Sequence, residues 1–346
     1  MADVVRQFGN DVRCGAPLMF EQRRALLDIE RCRTVALGGH RETYECGHVV
    51  TAYNSCRTRN CPSCSAWKSR DWVSQRELDL LPVNYFHVVF ALPHELADVH
   101  PMARATVNDA LFFASSKTLL EFGRKHLGGQ MGFLGVLHTW GQKLTYHPHV
   151  HYVVAGGAYD KKTNTWKSAK AKYLFPVRAL AQVFRGKMLA ELRRRKLPGV
   201  SDADLVRILD AASRHDWIVY AKPPFGGPKQ VLRYLARYTH RIAISEHRLL
   251  KVYDETVTFA YRDYKDGSAS KQMTLDGDVF LRRFLQHVLP RGYTRLRSFG
   301  FLGNNGKRKK LAAIRAILGT APPEPPKERE CLCPICGIGA LVDRQM

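Results

Sequence analysis

The sequence has no long apolar run and comparatively few acidic side chains. None of its apolar stretches approaches the roughly 18 residues that a membrane-spanning helix needs. The first residues, MADVVRQFGNDVRCG, include acids and lack the apolar core of a secretion signal. We therefore expect a cytoplasmic protein with no membrane partner.

The shortage of acids leaves a large positive charge. The chain has 54 Lys and Arg against 31 Asp and Glu, a formal net charge of +23 at pH 7 that is spread along its length. Cationic surfaces attract phosphate backbones and release their counterions. A nucleic acid is the expected partner, in preference to the alternative of a soluble basic protein without one.

The nine cysteines are expected to stay reduced in the cytoplasm, so closely spaced cysteines indicate metal ligands rather than disulfides. A dense block ends in CRTRNCPSC, and a structural zinc ion needs four nitrogen or sulfur ligands in tetrahedral array. We predict Zn²⁺ in this N-terminal block. The candidate ligands are Cys32, His40, Cys46, His48, Cys56, Cys61 and Cys64. Seven candidates exceed one site, so one ion and two ions both stay open; the preferred four are Cys46, Cys56, Cys61 and Cys64.

A second cysteine-containing segment, CLCPICG, follows a charged, proline-rich linker near the end of the sequence. It offers Cys331, Cys333 and Cys336 but no neighbouring pair of partners. Two readings stay open. The segment could bind zinc together with Cys14 or a histidine, or it could be a reduced tail.

The order of predicted elements indicates an α+β fold with a central, mainly antiparallel sheet and helices on one or both faces. Two adjacent strands, FLGVLHTW and HPHVHYVVAGG, are joined by a short polar turn. Helices are predicted over about 103–127, 176–196 and 202–214, and Ser201 is the expected N-cap of the last.

Two histidines stand in the second of these strands, within YHPHVHYVV. Residues two apart in a strand point to the same face, so His149 and His151 can reach one ion together, while Val150 packs on the opposite side. His138 in the preceding strand could join them across the hairpin. Strand histidines are also often satisfied by a neighbouring carbonyl group, so the pair alone is a weak metal motif.

A helix predicted over 228–244 carries Tyr234 and Tyr238 four residues apart, on one face. A second stripe on this helix is basic: Arg233, Arg237 and Arg241. A tyrosine hydroxyl can attack phosphorus to give a covalent phosphotyrosine, and the arginines could hold flanking phosphates. The alternative is an amphipathic helix with two packing tyrosines.

Together these motifs resemble the two-tyrosine HUH transposases of bacterial rolling-circle insertion sequences, the group of insertion sequence ninety-one. Five blocks match in order over about residues 32–305, from YNSCRTRNCPSC through LHTWGQKLTYHPHVHYVVAGG and VLRYLARYTHRIAIS to FLRRFLQHVLPRGYTRLRSFGFLGN. The resemblance implies a small zinc-binding domain followed by an HUH nuclease core. It also implies that the nuclease core uses Mg²⁺ or Mn²⁺ and acts on single-stranded DNA.

Carried onto matching positions, the resemblance makes His149 and His151 metal ligands and Tyr234 and Tyr238 the nucleophiles. One tyrosine attacks DNA at the end of the element, keeps a 5′-phosphotyrosine and frees a 3′-OH, and the other serves the partner strand. The expected DNA partners are the element ends, with hairpins, and target DNA. A third ligand is usual in this class.

We expect the third ligand of the catalytic ion to be His138, with Gln230 as the second choice. One departure concerns the zinc domain, because the family pattern has another cysteine near the place of Tyr44. This departure leaves a complete second zinc site open.

The sequence predicts four segments: a zinc-binding DNA-recognition domain over 1–80, the nuclease core over 81–245, an α+β extension over 246–318, and a linker with a cysteine-containing tail over 319–346. Two other functions stay open. One is a plasmid or phage replication initiator or relaxase of the same nuclease class, and the other is a catalytically inactive zinc-dependent DNA-binding regulator.

Overall fold

A computed structural model describes residues 1–15, 17–64, 72–222, 230, 242–324 and 331–345. They form two compact units, each assembled from separated stretches of chain. The first unit contains residues 1–64, 242–288 and 331–345, and the second contains 72–222 and 289–324. This division differs from the four continuous predicted segments, because residues 242–288 and the tail fold with the N-terminal residues.

The first unit is built from helices and two small sheets. Its helices are Ala2–Gly15, Phe20–Glu30 and Gly277–Leu285, and the strands, numbered along the chain, are β1 Gly39–Tyr44, β2 Val49–Tyr53, β8 Leu249–Val252, β9 Thr256–Asp263, β10 Ala269–Asp276 and β12 Leu341–Gln345. One sheet has the order β10-β9-β8 and the other the order β12-β1-β2. Val4, Val5 and Phe8 on the first helix and Phe280 and Phe284 on the last are buried, and these two helices pack together.

The second unit is organised around one antiparallel sheet. Its strands are β3 Tyr85–Ala91, β4 Gln130–Trp140, β5 Tyr146–Asp160, β6 Thr165–Ser168, β7 Val219–Lys222 and β11 Leu296–Gly300. The order is β11-β4-β5-β3-β7, and β6 pairs with the far end of β5. All of these pairings are antiparallel, which confirms the predicted α+β class and the predicted hairpin of two adjacent strands.

Most helices of the second unit cover one face of this sheet, and the Lys307–Ile317 helix packs on the other. The helices of the second unit are 72–77, His94–Ala97, Arg104–Leu127, Val177–Arg193, Asp202–Ser213 and Lys307–Ile317. Val150, Tyr152 and Val154 of β5 point into a core that also contains Leu111 and Phe184 from two of the long helices. Because β-strand side chains alternate between faces, the residues between these three belong to the opposite face.

The opposite face divides into an apolar end and a histidine-rich end. At the apolar end, Val136 and Val153 pack with Phe301, Leu311 and Ile314. At the other end, the same rows of β4 and β5 continue as histidines. The sheet therefore has one face devoted to core packing and one face that changes from apolar to histidine-bearing along its length.

The helices predicted over about 103–127, 176–196 and 202–214 are confirmed with small shifts at their ends. Ser201 caps the Asp202–Ser213 helix, since its side chain accepts a hydrogen bond from the Asp204 N–H at 3.1 Å. The Arg104–Leu127 helix ends at Gly128, whose φ of 67° is left-handed. Among the residues that the structure describes, no helix combines the length and apolar character needed to span a membrane.

Candidate active site and metal centres

Three histidines converge on the histidine-bearing face of the second unit's sheet. His138 on β4 pairs directly with His149 on β5, and His151 follows two residues later on the same face. One nitrogen from each ring lies within 4.8 Å of the others. The ring centroids of His138 and His151 are 4.3 Å apart, and those of His149 and His151 are 4.8 Å apart. The strand alternation in YHPHVHYVV and the β4–β5 hairpin together bring all three predicted imidazoles to one place.

Hydrogen bonds fix the orientation of two of these rings. Nδ1 of His149 donates to the carbonyl oxygen of His147 at 2.7 Å, which leaves Nε2 as the ring atom with an available lone pair. Nδ1 of His151 lies 2.8 Å from Nε2 of His87, a contact that orients the His151 ring. Such contacts on the far nitrogen are the usual means by which proteins orient histidine ligands.

His87 is a functional candidate that the sequence analysis did not single out. It lies on β3, and its ring stacks on that of His151 with a centroid distance of 5.0 Å and an interplanar angle of 5°. The signal was present, since His87 interrupts the apolar strand NYFHVVFALP as His149 and His151 interrupt theirs. The register between β3 and β5 is what brings it to the same face.

Desolvation lowers the pKa of four histidines and favours their neutral forms; His87 and His138 are buried, and His149 and His151 are half-buried. Desolvation lowers the pKa of His149 and that of His87 to about 4. The pKa values of His138 and His151 are also well below the ordinary value, first because of burial and then because neighbouring imidazoles repel a second positive charge. A neutral imidazole has the lone pair that a metal ion requires, so the cluster needs no deprotonation before it binds an ion.

Basic side chains flank the cluster within the second unit. Lys222 on β7 pairs with His87 in register, and its charge contributes to the lowered pKa of His87. The charge of Arg295 contributes in the same way at His138. Neutral imidazoles beside fixed cations form an environment suited to an anionic phosphate.

The predicted nucleophiles and basic stripe lie outside the described residues: Arg233, Tyr234, Arg237, Tyr238 and Arg241. Gln230, the second choice for a third ligand, is described as an exposed helical residue. The described end of this region, Ile242 to Ser245, is not helical, and Ala243 has a φ of 55°.

A group of four cysteines lies in the first unit. One sulfur from each of Cys32, Cys56, Cys61 and Cys64 lies within 4.8 Å of the others, and the sulfurs of Cys32 and Cys64 are 3.4 Å apart. Cys32, Cys61 and Cys64 are buried. Four thiolates in this arrangement match the ligand set of a structural zinc ion.

The remaining zinc candidates are placed elsewhere. His40 bonds through Nδ1 to Oδ1 of Asn54 at 2.8 Å, and the ring of His48 lies against that of Tyr44. Cys46, one of the four preferred candidates, lies in the turn between β1 and β2, at the opposite end of this hairpin from Cys32 and Cys56. Strands of five or six residues separate the two ends by about 17 Å at 3.3 Å per residue, which is too far for one ion.

Cys46 instead lies beside the cysteines of the tail. Its sulfur groups with those of Cys333 and Cys336, again within 4.8 Å of one another. Cys14 is exposed and belongs to neither cysteine group among the described residues. The seven predicted N-terminal ligands therefore divide into a four-cysteine group, two histidines that belong to neither group, and one cysteine that joins the tail.

Two transposase family models match separate parts of the chain. A family model described as "Transposase zinc-binding domain" matches residues 4–92, and one described as "Putative transposase" matches residues 132–310. The first match contains the four-cysteine group. The second contains His138, His149 and His151.

Two curated relatives span nearly the whole chain. "Putative transposase y4qJ" of Sinorhizobium fredii (strain NBRC 101917 / NGR234) is 43% identical over 373 aligned positions, which cover 99% of this chain and 94% of the relative. "Transposase for insertion sequence element IS801" of Pseudomonas savastanoi pv. phaseolicola is 28% identical over 336 positions, which cover 90% of this chain and 79% of the relative. No solved structure matches the chain.

The two family matches cover the cysteine group and the histidine cluster separately, and the relatives extend the similarity to the rest of the sequence. The resemblance inferred from the sequence blocks is thereby confirmed. The chain belongs to the insertion sequence ninety-one (IS91) family of transposases, with an N-terminal zinc-binding domain.

Proposed function

We propose that this transposase nicks and rejoins single-stranded DNA at the ends of a mobile element through 5′-phosphotyrosine intermediates, as in rolling-circle transposition. The observation that carries the proposal is the cluster of His138, His149 and His151. Its nitrogens lie within 4.8 Å of one another on a face flanked by basic residues. Because the substrates are DNA of a bacterial element, the reaction belongs to the bacterial cytoplasm.

The donor set fits a divalent ion of intermediate softness. Three neutral imidazoles suit Mn²⁺ better than Mg²⁺, which prefers oxygen ligands, and phosphate oxygens of the DNA would complete the coordination. When bound, the ion supplies Lewis-acid polarisation of the scissile phosphate. His138, His149 and His151 would hold it, and the contacts to His87 and to the His147 carbonyl would keep two of the rings turned toward it.

The proposed chemistry is an exchange of phosphoesters. The hydroxyl oxygen of Tyr234 or Tyr238 attacks phosphorus and loses its proton, while the bond from phosphorus to the 3′-oxygen breaks and that oxygen gains a proton. One phosphodiester replaces another, so no external energy source is needed. Attack by a 3′-OH on the phosphotyrosine reverses the step and rejoins DNA, and the second tyrosine can serve the partner strand.

The surrounding cations have a separate role in this scheme. Lys222 and Arg295 place positive charge beside the histidines, where a phosphate would lie. Arg233, Arg237 and Arg241 would hold flanking phosphates of the single strand, since a guanidinium group can bind two phosphate oxygens at once. Their fixed charge would stabilise the extra negative charge that develops on phosphorus during attack.

The test is formation of a covalent adduct. The protein is incubated with 5′- and 3′-labelled single strands from the element ends and Mn²⁺ or Mg²⁺, and adducts that survive SDS are separated by electrophoresis. We expect an adduct that carries the 5′-phosphate side of the cut and disappears with EDTA. His149→Ala should reduce it more than about 100-fold, because one of three ligands is lost.

Two further variants complete the experiment. Changing both Tyr234 and Tyr238 to Phe should abolish the adduct while leaving DNA binding intact. His94→Ala is the matched histidine control, because His94 is exposed in the same unit and lies outside the cluster. An adduct that persists in the double tyrosine variant, or its absence with every end sequence in the unaltered protein, would refute the proposal.

A further inference from the structure

The cysteines of the tail form a group that the transposase family matches do not account for. Cys333 and Cys336 lie outside both matched regions, which end at residues 92 and 310. Their sulfurs nevertheless lie within 4.8 Å of each other and of the Cys46 sulfur, which comes from the turn between β1 and β2. All three thiols are free. Residues almost at opposite ends of the sequence therefore present three soft ligands at one point.

The backbone around these thiols holds the tail in place. β12 pairs with β1 in antiparallel register, with Thr43 opposite Asp343. Beyond the strand, the Glu45 N–H donates to the Ala340 carbonyl at 2.9 Å, and the Ala340 N–H donates to a Glu45 carboxylate oxygen at 2.9 Å. The tail is thus the third strand of the β12-β1-β2 sheet, and the pairing brings Cys336 beside Cys46.

Backbone N–H groups close the turn that contains Cys333 and Cys336. The Gly337 N–H donates to the Cys333 carbonyl at 2.9 Å, and the Gly339 N–H points at the Cys336 sulfur at 3.4 Å. Such N–H groups stabilise a thiolate. Each of the two exposed cysteines, Cys46 and Cys336, is followed by a glycine in the left-handed region, with φ values of 76° and 70°.

We propose that Cys46, Cys333 and Cys336 form a second structural zinc site that ties the tail to the β1–β2 hairpin. Thiolate ligands select zinc among the divalent ions that prefer tetrahedral sulfur sites. The two candidates for the fourth position are Cys331 and His48, each two residues away from a ligand in the sequence. This site is separate from the four-cysteine group, and it makes the docking of the tail dependent on metal.

The first test uses the unaltered protein. Freshly purified protein is treated with N-ethylmaleimide, with and without prior chelation, and the labelled cysteines are identified by mass spectrometry. Cys14, Cys46 and Cys336 are all exposed, so thiol accessibility alone predicts equal labelling. We expect Cys14 to react at once and Cys46 and Cys336 to react at least about tenfold more slowly until a chelator is added.

This experiment also distinguishes a zinc site from a disulfide. A disulfide between Cys46 and a tail cysteine would be released by a reductant, whereas a zinc site is released by a chelator. Labelling of Cys46 and Cys336 as fast as Cys14, or protection that only a reductant removes, would overturn the proposal.

The second test measures zinc content by elemental analysis. We expect about two zinc ions per chain, falling to about one in Cys333→Ser/Cys336→Ser and to about one in Cys46→Ser. Cys14→Ser is the matched control and should keep both. Cys56→Ser should lose the other ion and retain chelator-sensitive protection of Cys336. Unchanged zinc content in the tail double variant would refute the second site.

Discussion

His87 contacts His151, one of the proposed metal ligands, from the neighbouring strand. Its Nε2 lies 2.8 Å from Nδ1 of His151, and the two rings are nearly parallel. A neutral His87 can accept the Nδ1–H of His151, which holds His151 in the tautomer that presents Nε2 to an ion. At the scale of single residues, loss of this contact would allow the His151 ring to rotate away from the proposed ion.

We predict that His87→Leu weakens Mn²⁺ binding by about 10–100-fold, because His151 loses its orienting partner. The measurement is the Mn²⁺ concentration that gives half-maximal adduct formation. His87→Asn, whose amide can restore a hydrogen bond to His151, should recover part of the loss. Equal Mn²⁺ requirements in the Leu variant and the unaltered protein would show that His87 only packs the strand.

The same histidines make the stability of the metal-free protein sensitive to acid. The folded-state pKa values of His87 and His149 are about 4, below the ordinary 6.5, and burial is the main cause. Between pH 4 and pH 6.5, the unfolded chain therefore binds more protons than the folded chain. The stabilising effect of the neutral rings is complete above about pH 6.5 and is lost as the pH falls toward 4.

We therefore predict that the urea concentration at the unfolding midpoint of the metal-free protein decreases when the pH is lowered from 7 to 5. Each buried histidine contributes at most about 1.4 kcal/mol per pH unit to the slope of the unfolding free energy. The variant His149→Gln/His151→Gln removes two of the titrating groups and should show a shallower dependence. An identical dependence in the variant and the parent would contradict this assignment.

At the scale of elements, the β4–β5 pairing is what sets His138 opposite His149. Gly135 lies in this pairing directly across from Tyr152, and a Cβ at this position would lie 2.4 Å from the buried Tyr152 ring. The ring fills the space that any other residue at 135 would need. The close approach of the two strands next to the histidines therefore depends on this glycine.

We predict that Gly135→Ala destabilises the protein by about 1–3 kcal/mol, since a buried aromatic ring must move. The measurement is urea or thermal unfolding. Gly186→Ala is the matched control, because Gly186 is exposed in the Val177–Arg193 helix and has nothing within 4 Å of an added Cβ. The control should stabilise by about 0.5–1 kcal/mol. Destabilisation of similar size in both would contradict the packing explanation.

The elements of the second unit could be predicted because their signals are local. The alternation of apolar and polar residues in YHPHVHYVV, the Ser201 cap and the glycines after Leu127 each act within a few residues. The β4–β5 hairpin joins neighbours in sequence, so the approach of His138 to His149 followed from the same reasoning. His87 also interrupts an apolar strand, but its approach to His151 required the register of β3 against β5, which depends on strands about 60 residues apart.

The partner of the tail cysteines could not be predicted for a related reason. The spacing of Cys333 and Cys336 indicates a pair of ligands but carries no information about the third, and Cys46 lies 287 positions before Cys333 (333 − 46). The preference for Cys46 beside Cys56 and Cys61 rested on closeness in sequence. Cys46 lies in the turn at the far end of the β1–β2 hairpin, beside the tail cysteines.

For the whole molecule, the dominant property is the net charge of +23. Neutralising phosphates releases counterions, so affinity for single-stranded DNA should fall steeply with salt, with a slope of about −0.7 per phosphate contacted. We predict a slope steeper than about −3 in a plot of log affinity against log salt concentration, measured by fluorescence anisotropy with a labelled strand.

His149→Ala should leave that slope unchanged, because the substitution removes a neutral ligand and no cation. A variant such as Lys222→Gln should make it shallower by about 0.7 if Lys222 contacts a phosphate. Affinity that does not change with salt would contradict a binding surface dominated by phosphate contacts.

The first unit is assembled from the beginning, a later part and the end of the sequence, and its β12-β1-β2 sheet needs residues 341–345. During synthesis, β1 and β2 leave the ribosome about 300 residues before the strand that completes their sheet. A chain that stops before residue 331 has an open edge on β1 and lacks two of the three thiols gathered there. Translation through residue 345 is therefore a condition for the three-stranded β12-β1-β2 sheet, and a chain released before residue 331 lacks its third strand.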